Sequence, residues 1–122
     1  MSYKVLIAED NYINQRLMEK LIQSKGWECV LVVDGSEVLR ELDKGDFDII
    51  LMDISMPDMD GYTATKILRK FNQTIPVIAI TANALEGFRE KCLSSGMNDY
   101  ISKPFRKEEL FAVMEKYLPA RT

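Results

Sequence analysis

Residues 47–62 read FDIILMDISMPDMDGY. The first six, Phe47 to Met52, are apolar except for Asp48, and Asp53 closes the run. A short, near-continuous apolar run rich in isoleucine has the form of a strand covered on both faces. Such strands belong to parallel sheets, whose crossover helices pack on either side. Three aspartates, Asp53, Asp58 and Asp60, then fall within eight positions. A cluster of this kind can hold a metal, attack phosphorus or cap a turn, so the register of the strand decides its meaning.

Four further runs lie to either side: YKVLIA (Tyr3–Ala8), WECVLVV (Trp27–Val33), IPVIAI (Ile75–Ile80) and DYIS (Asp99–Ser102). The segments between them have helical periodicity. Ile13, Leu17 and Leu21 with Met18 and Ile22 predict an apolar stripe closed by Gly26. Ser36–Lys44, Thr63–Phe71, Leu85–Ser95 and Lys107–Leu118 predict four more helices, with Phe71 and Leu93 among the expected core positions. Five strand–helix units with short connections imply an α/β fold, a parallel sheet with helices on both faces and right-handed crossovers.

At 122 residues the chain has the length of one domain. A domain of this size buries roughly two thirds of its unfolded surface and holds a core without staples. With 47% hydrophobic and 29% charged residues it has a globular composition. A formal net charge of −3 with scattered Lys and Arg argues against general nucleic-acid binding, which needs a clustered basic surface. The densest basic group, Lys66, Arg69 and Lys70, reads as the solvated face of a helix. Cys29 and Cys92 form no CxxC pair and read as small buried apolar groups in a reducing compartment. No stretch approaches the eighteen or so apolar residues of a membrane span, and Met1–Glu9 lacks a signal-peptide pattern, so the expected location is the cytoplasm. The sequence holds no histidine. Ser-His-Asp and Cys-His catalysis, histidine-based zinc sites and phosphohistidine on this chain are thereby excluded.

Sites of open α/β sheets form beyond the carboxyl ends of the strands. The residues expected there are Glu9, Asp10 and Asn11 after the first strand, Asp53 after the third, Thr81 and Asn83 after the fourth, and Lys103–Pro104 after the fifth. Singly, each has an ordinary reading: Asn11 or Thr81 as a helix cap, Lys103 as a surface amine. Together, three converging carboxylates repel one another and require cations. Lys103 supplies one charge, and a hard divalent ion such as Mg²⁺ supplies two more. The grouping suits phosphoryl transfer, with Asp53 as the carboxylate nucleophile and the cations facing the equatorial oxygens.

With these residues in place, the sequence resembles the receiver domain of two-component response regulators. The resemblance runs from Tyr3 to Leu118 and rests on LIAEDN, IILMDISMPDMDGY, AITANA and YISKPF, in that order and spacing. EDNYINQ and ITANALEG look most like receivers attached to hybrid sensor histidine kinases. The resemblance implies a flavodoxin-like (βα)5 fold, strand order 2-1-3-4-5, with residues 1–122 as a single receiver domain. It implies a phosphorelay protein that catalyses only its own phosphorylation and dephosphorylation. Asp53 would accept a phosphoryl group from a histidine kinase or histidine phosphotransfer protein. Asp10 would bind Mg²⁺ directly and Glu9 through water, with Asp53 and the backbone carbonyl of Ser55 completing the protein ligands. Lys103 and Thr81 would contact the phosphoryl group, Tyr100 would follow Thr81 as an aromatic switch, and Lys103–Pro104 would be cis. Glu9 stands where the family more often has Asp, and Ser55 and Asn83 occupy variable positions that tune phosphoryl lifetime. With no output domain after Leu118, the expectation is a stand-alone regulator or a piece of a larger protein.

Rival readings fail on register. DMDGYT imitates a phosphatase DxDGT signature, but ISMP separates it from the strand. An EF-hand register would put Met56 and Ile67 where carboxylates are needed. No GxxxxGK[ST] loop is present. A flavodoxin-type phosphate loop would be repelled by Glu9 and Asp10. The alternative that stays open is a receiver that binds partners without phosphorylation, against which the acidic pair with Asp53, Thr81 and Lys103 argues. Within the opening segment Asp53 is the expected nucleophile, Pro57 is expected to shape the loop, Asp60 to cap the next helix and Gly61 to permit the bend.

Overall fold

The computed structural model describes residues 2–119 apart from Pro57, Asp58, Asn83 and Leu85. The readings placed on Pro57, Asp58 and Asn83 fall outside the described residues. Five strands and five helices alternate: β1 (Lys4–Ala8), α1 (Tyr12–Ser24), β2 (Glu28–Val32), α2 (Gly35–Lys44), β3 (Ile49–Asp53), α3 (Gly61–Leu68), β4 (Val77–Thr81), α4 (Phe88–Ser95), β5 (Asp99–Ser102) and α5 (Lys107–Tyr117). The strands form one parallel sheet in the order β2-β1-β3-β4-β5. This is the (βα)5 arrangement that the sequence predicts.

The continuous apolar runs acquire meaning from the period-two alternation of a strand. Leu6, Ile50, Met52 and Val77 face a core completed by Val38, Ala64 and Leu68 from α2 and α3. Val5, Ile49, Leu51 and Ile78 face the opposite core, with Met18, Ile22, Leu110 and Met114 from α1 and α5. Both faces of β1 and β3 are covered, so after Lys4 the only polar residue in either strand is Asp53, at the carboxyl end of β3.

Caps fix where the helices begin. Asn14 N–H donates to Asn11 Oδ1 at 3.0 Å, Glu37 N–H to Asp34 Oδ1 at 2.9 Å, and Thr63 N–H to Asp60 Oδ1 at 2.8 Å. Each satisfies a backbone donor that the first turn leaves free. The cap of α4 is Gly87, in the left-handed region at φ 83°, so that helix starts three residues after Leu85 and Thr81 does not cap it. Gly61 serves by its size: a Cβ there would stand 2.8 Å from the Asp53 carbonyl oxygen and 2.9 Å from Met52 Cγ. Positive φ occurs at Gly26, Gly87 and Gly96, so Gly61 is required for close approach and not for an unusual backbone angle.

Several side chains depart from expectation. On α1 only Met18 and Ile22 are buried, whereas Ile13 and Leu17 are 69% and 57% exposed. The stripe is broader than the strip that the sheet covers. Phe71 and Leu93 are exposed; Phe71 lies beyond the end of α3. Arg69 is half-buried, and its guanidinium donates to the Gly96 and Asn72 carbonyls and to Asn98 Oδ1. It ties α3 to the turn before β5 and is not part of a solvated face. Both cysteines are free, Cys92 buried and Cys29 only half-buried.

Candidate active site

The carboxyl ends of β1, β3, β4 and β5 bring the expected residues to one edge of the sheet. Glu9 follows β1 and is 4% exposed. Its backbone N–H donates to Val32 O at 3.0 Å, which continues the β1–β2 ladder by one bond and directs the residue inward. Its carboxylate accepts from Asn11 N–H at 3.1 Å and from Lys103 Nζ at 3.0 Å. Gln15 Nε2 donates to its carbonyl at 2.6 Å. Asp10, the next residue, is exposed.

Asp53 is the last residue of β3, opposite Ile80 of β4. Ser55 N–H donates to its Oδ1 at 2.9 Å, and its Oδ2 lies 3.7 Å from Lys103 Nζ. Lys103 sits just past β5, anchored by its N–H to Thr81 O at 2.7 Å, and the Lys103–Pro104 peptide is cis. Thr81 closes β4 opposite Ser102 and is 7% exposed. One carboxylate oxygen each from Glu9, Asp10 and Asp53 falls within a 4.8 Å group.

The protonation equilibria reflect that crowding. Burial pushes Glu9 up, but the Asn11 N–H and the Lys103 ammonium outweigh it and hold the carboxyl below its usual value. Asp53 goes the other way. Burial, then the Glu9 charge, raise it from 3.8 to about 6 against the opposing Ser55 N–H and Lys103. Lys103 is closer to Glu9 than to Asp53, so one ammonium serves two carboxylates unequally.

Tyr100 lies opposite Ala79 and is half-buried. Its ring meets Phe88 edge to face at 5.1 Å and 84°, and Phe88 meets Tyr62 at 6.4 Å and 64°. Lys91 Nζ stands 4.6 Å over the Tyr62 ring. Burial, then contact with Cys92, pushes the Tyr62 hydroxyl up to about 12. Sequence reasoning singled out Tyr100 but missed Tyr62 and Phe88. Their aromatic type was visible, but their convergence depends on how α3 and α4 pack.

The profile of the response regulator receiver domain matches residues 5–115. The chain belongs to that family. Sensor histidine kinase RcsC of Salmonella typhi is 39% identical over 113 residues, covering 93% of this chain and 12% of RcsC. Hybrid signal transduction histidine kinase G of Dictyostelium discoideum is 40% identical over 121 residues, covering 95% of this chain and 4% of that kinase. The chain thus spans a small fraction of these relatives. Among solved structures, the receiver domain of sensor histidine kinase PA1611 from Pseudomonas aeruginosa superposes with a TM-score of 0.89 at 41% identity, covering 96% of this chain and 98% of that one. It holds a magnesium ion coordinated in its active-site cleft. The protein is a receiver domain of two-component signalling, and its acidic edge is a group of residues that can hold a metal.

Proposed function

We propose that Asp53 accepts a phosphoryl group from a phosphohistidine on a histidine kinase or histidine phosphotransfer protein. The observation that carries this reading is the convergence of Glu9, Asp10 and Asp53 with Lys103 at one sheet edge of a receiver-family chain. An Asp53 oxygen attacks phosphorus, the P–N bond breaks, and the imidazole nitrogen keeps the electron pair. The Lys103 ammonium, 3.7 Å from Asp53 Oδ2, is close enough to turn from Glu9 toward the oxygens of the new phosphoryl group.

The donor set fits Mg²⁺. All three side chains offer hard oxygen, and their 4.8 Å grouping is near the ~4.2 Å between opposite corners of a Mg²⁺ octahedron with bonds of ~2.1 Å. Glu9, Asp10, Asp53 and the Ser55 carbonyl would hold the ion, which would neutralise charge on the phosphoryl oxygens. The switch is a two-state one. Phosphorylation adds charge beside Thr81, its hydroxyl turns to donate to the phosphoryl group, and Tyr100 follows into the vacated space. The surface of the last two units then differs between the states and is read by a partner. Residues 1–122 act as one receiver unit that promotes only its own phosphorylation and dephosphorylation. The free thiols of Cys29 and Cys92 suit a reducing cytoplasm. Among the described residues no helix is long and apolar enough to cross a membrane.

The test is intact mass after incubation with acetyl phosphate and Mg²⁺. The expected result is a phosphoryl adduct on the wild type and none on Asp53→Asn. No adduct on folded wild type would favour a module that binds partners without phosphorylation.

A further inference from the structure

A cavity of about 500 Å³ opens between α1 and the β5–α5 connection, beside the acidic edge. Its floor is the sheet face carrying Ile7, Leu51 and Ile80. Leu17, Met18 and Leu21 of α1 form one wall, and Pro104 with Phe105 the other. Leu17 is 57% exposed, so the outer part of this wall is apolar surface that the fold leaves in water, whereas Met18 is buried. The volume lies inside the range of roughly 300–1,000 Å³ typical of small-molecule sites, and such sites pair apolar walls with a few convergent polar groups.

The rim indicates the charge of the ligand. Glu9 and Asp53 at the inner end are answered by Lys103. Lys20 and Lys107 also line the cavity, are exposed, and form no ion pair among the described residues. The outer mouth therefore presents two uncommitted ammonium groups over an apolar interior.

We propose that this groove binds an amphipathic anion: an apolar chain or ring lying against Leu17, Leu21 and Phe105, with its carboxylate at Lys20 and Lys107. Lys103 lines the same cavity, so the apolar body of a ligand seated there obstructs the turn of that ammonium toward the phosphoryl oxygens, and occupancy of the groove opposes phosphorylation of Asp53. The obstruction rests on the phosphoacceptor reading given above, whereas the binding itself does not.

The experiment uses the full chain with 8-anilinonaphthalene-1-sulfonate as fluorescent probe, displaced by decanoate or by decanol. The expected result is saturable probe binding, displacement by decanoate at least tenfold more effective than by decanol, and amide shifts centred on Leu17, Leu21 and Phe105. Leu21→Trp, which fills the groove, and Leu17→Asp, on its exposed rim, should each abolish binding. The Lys20→Glu/Lys107→Glu pair should weaken decanoate about tenfold and leave decanol unchanged. Decanoate should slow adduct formation from acetyl phosphate in the wild type and not in Leu21→Trp. Absence of saturable binding, decanol equal to decanoate, or shifts centred elsewhere would overturn the proposal. So would a groove that ignores the probe while Leu17→Asp slows transfer from a phosphohistidine protein, since a protein partner would then be its occupant. If the untreated wild type forms no adduct, the phosphoacceptor reading and the obstruction both fall, while saturable binding still establishes the site.

Discussion

The two ends of the sheet solve opposite problems. At the amino ends of the strands, Tyr3 meets Trp27 edge to face at 5.2 Å, and Trp27 meets Phe111 at 5.9 Å. Lys25 Nζ lies over Trp27 and Phe111 at 5.7 and 4.8 Å. These four groups are compatible neighbours. At the carboxyl ends, Glu9 and Asp53 share the single ammonium of Lys103, and Asp53 is pushed up to about 6. One end contributes stability; the other holds like charges together and gives some of that stability back. The difference teaches where substitutions should separate folding from function.

The largest expected effect is at the amino end. Trp27 is 9% exposed and joins two rings. Trp27→Ala should destabilise the chain by about 3–5 kcal/mol in urea unfolding. The folded fraction should still be phosphorylated by acetyl phosphate at the wild-type rate. A rate that falls further than the folded fraction would show that the two ends are coupled and break the comparison.

Gly61→Ala probes the link between the carboxyl end and its support. The new Cβ would meet a backbone oxygen, that of Asp53, at 2.8 Å, so the strand end itself must shift. We expect a loss of about 1–3 kcal/mol, the range for overpacking. Unlike Trp27→Ala, it should also slow phosphorylation of the folded chain, because Asp53 is the residue displaced.

Asp53→Asn should do the reverse of Trp27→Ala: abolish the adduct and stabilise the fold. The folded carboxyl is raised from 3.8 to about 6. Between those values the folded chain keeps a proton that the unfolded chain has released, so this group's contribution to stability falls as pH rises through the window. Glu9, held low, contributes in the opposite sense, and its stabilisation is lost as pH falls. At pH 7 the substitution should add about 1–2 kcal/mol, less than the full shift because Lys103 also loses a partner. Urea midpoints at a series of pH values should show the gain shrinking as pH drops from above 6 to below 3.8. A gain independent of pH would mean that charge repulsion is not its source.

What the order of residues reveals by itself follows the same division. β1 and β3 were legible because burial on both faces leaves a nearly unbroken apolar run, and Asp53 was legible because polarity returns at the strand end. Periodicity placed Met18, Ile22, Ile13 and Leu17 on one broad stripe of α1, but covered only the first two in the fold. How far a helix rolls against its sheet is a packing outcome. Nor could order along the chain tell that Glu9 points inward to Lys103 while Asp10 faces water. Adjacent residues on an extended segment alternate, and the phase comes from the Glu9 N–H bond to Val32. The Tyr62–Phe88–Tyr100 contact and the Arg69 bonds to Gly96 and Asn98 join residues far apart in sequence. No local pattern encodes such pairings.

The smallest expected effect is that of the metal. A cation among Glu9, Asp10 and Asp53 relieves the repulsion that distinguishes the carboxyl end, so Mg²⁺ should make the two ends more alike. At ten times its dissociation constant a ligand specific for the folded state adds about 1.4 kcal/mol. Adding Mg²⁺ should raise the thermal midpoint by a few degrees, and EDTA should reverse it. The same addition should lower the Asp53 pKa from about 6, seen as an upfield-to-downfield crossover at lower pH in the carboxyl carbon titration, because a bound cation favours the charged form. Asp53→Asn should lose most of the stabilisation and Trp27→Ala none of it. Stabilisation that survives Asp53→Asn would place the cation on Glu9 and Asp10 alone and separate metal binding from the nucleophile.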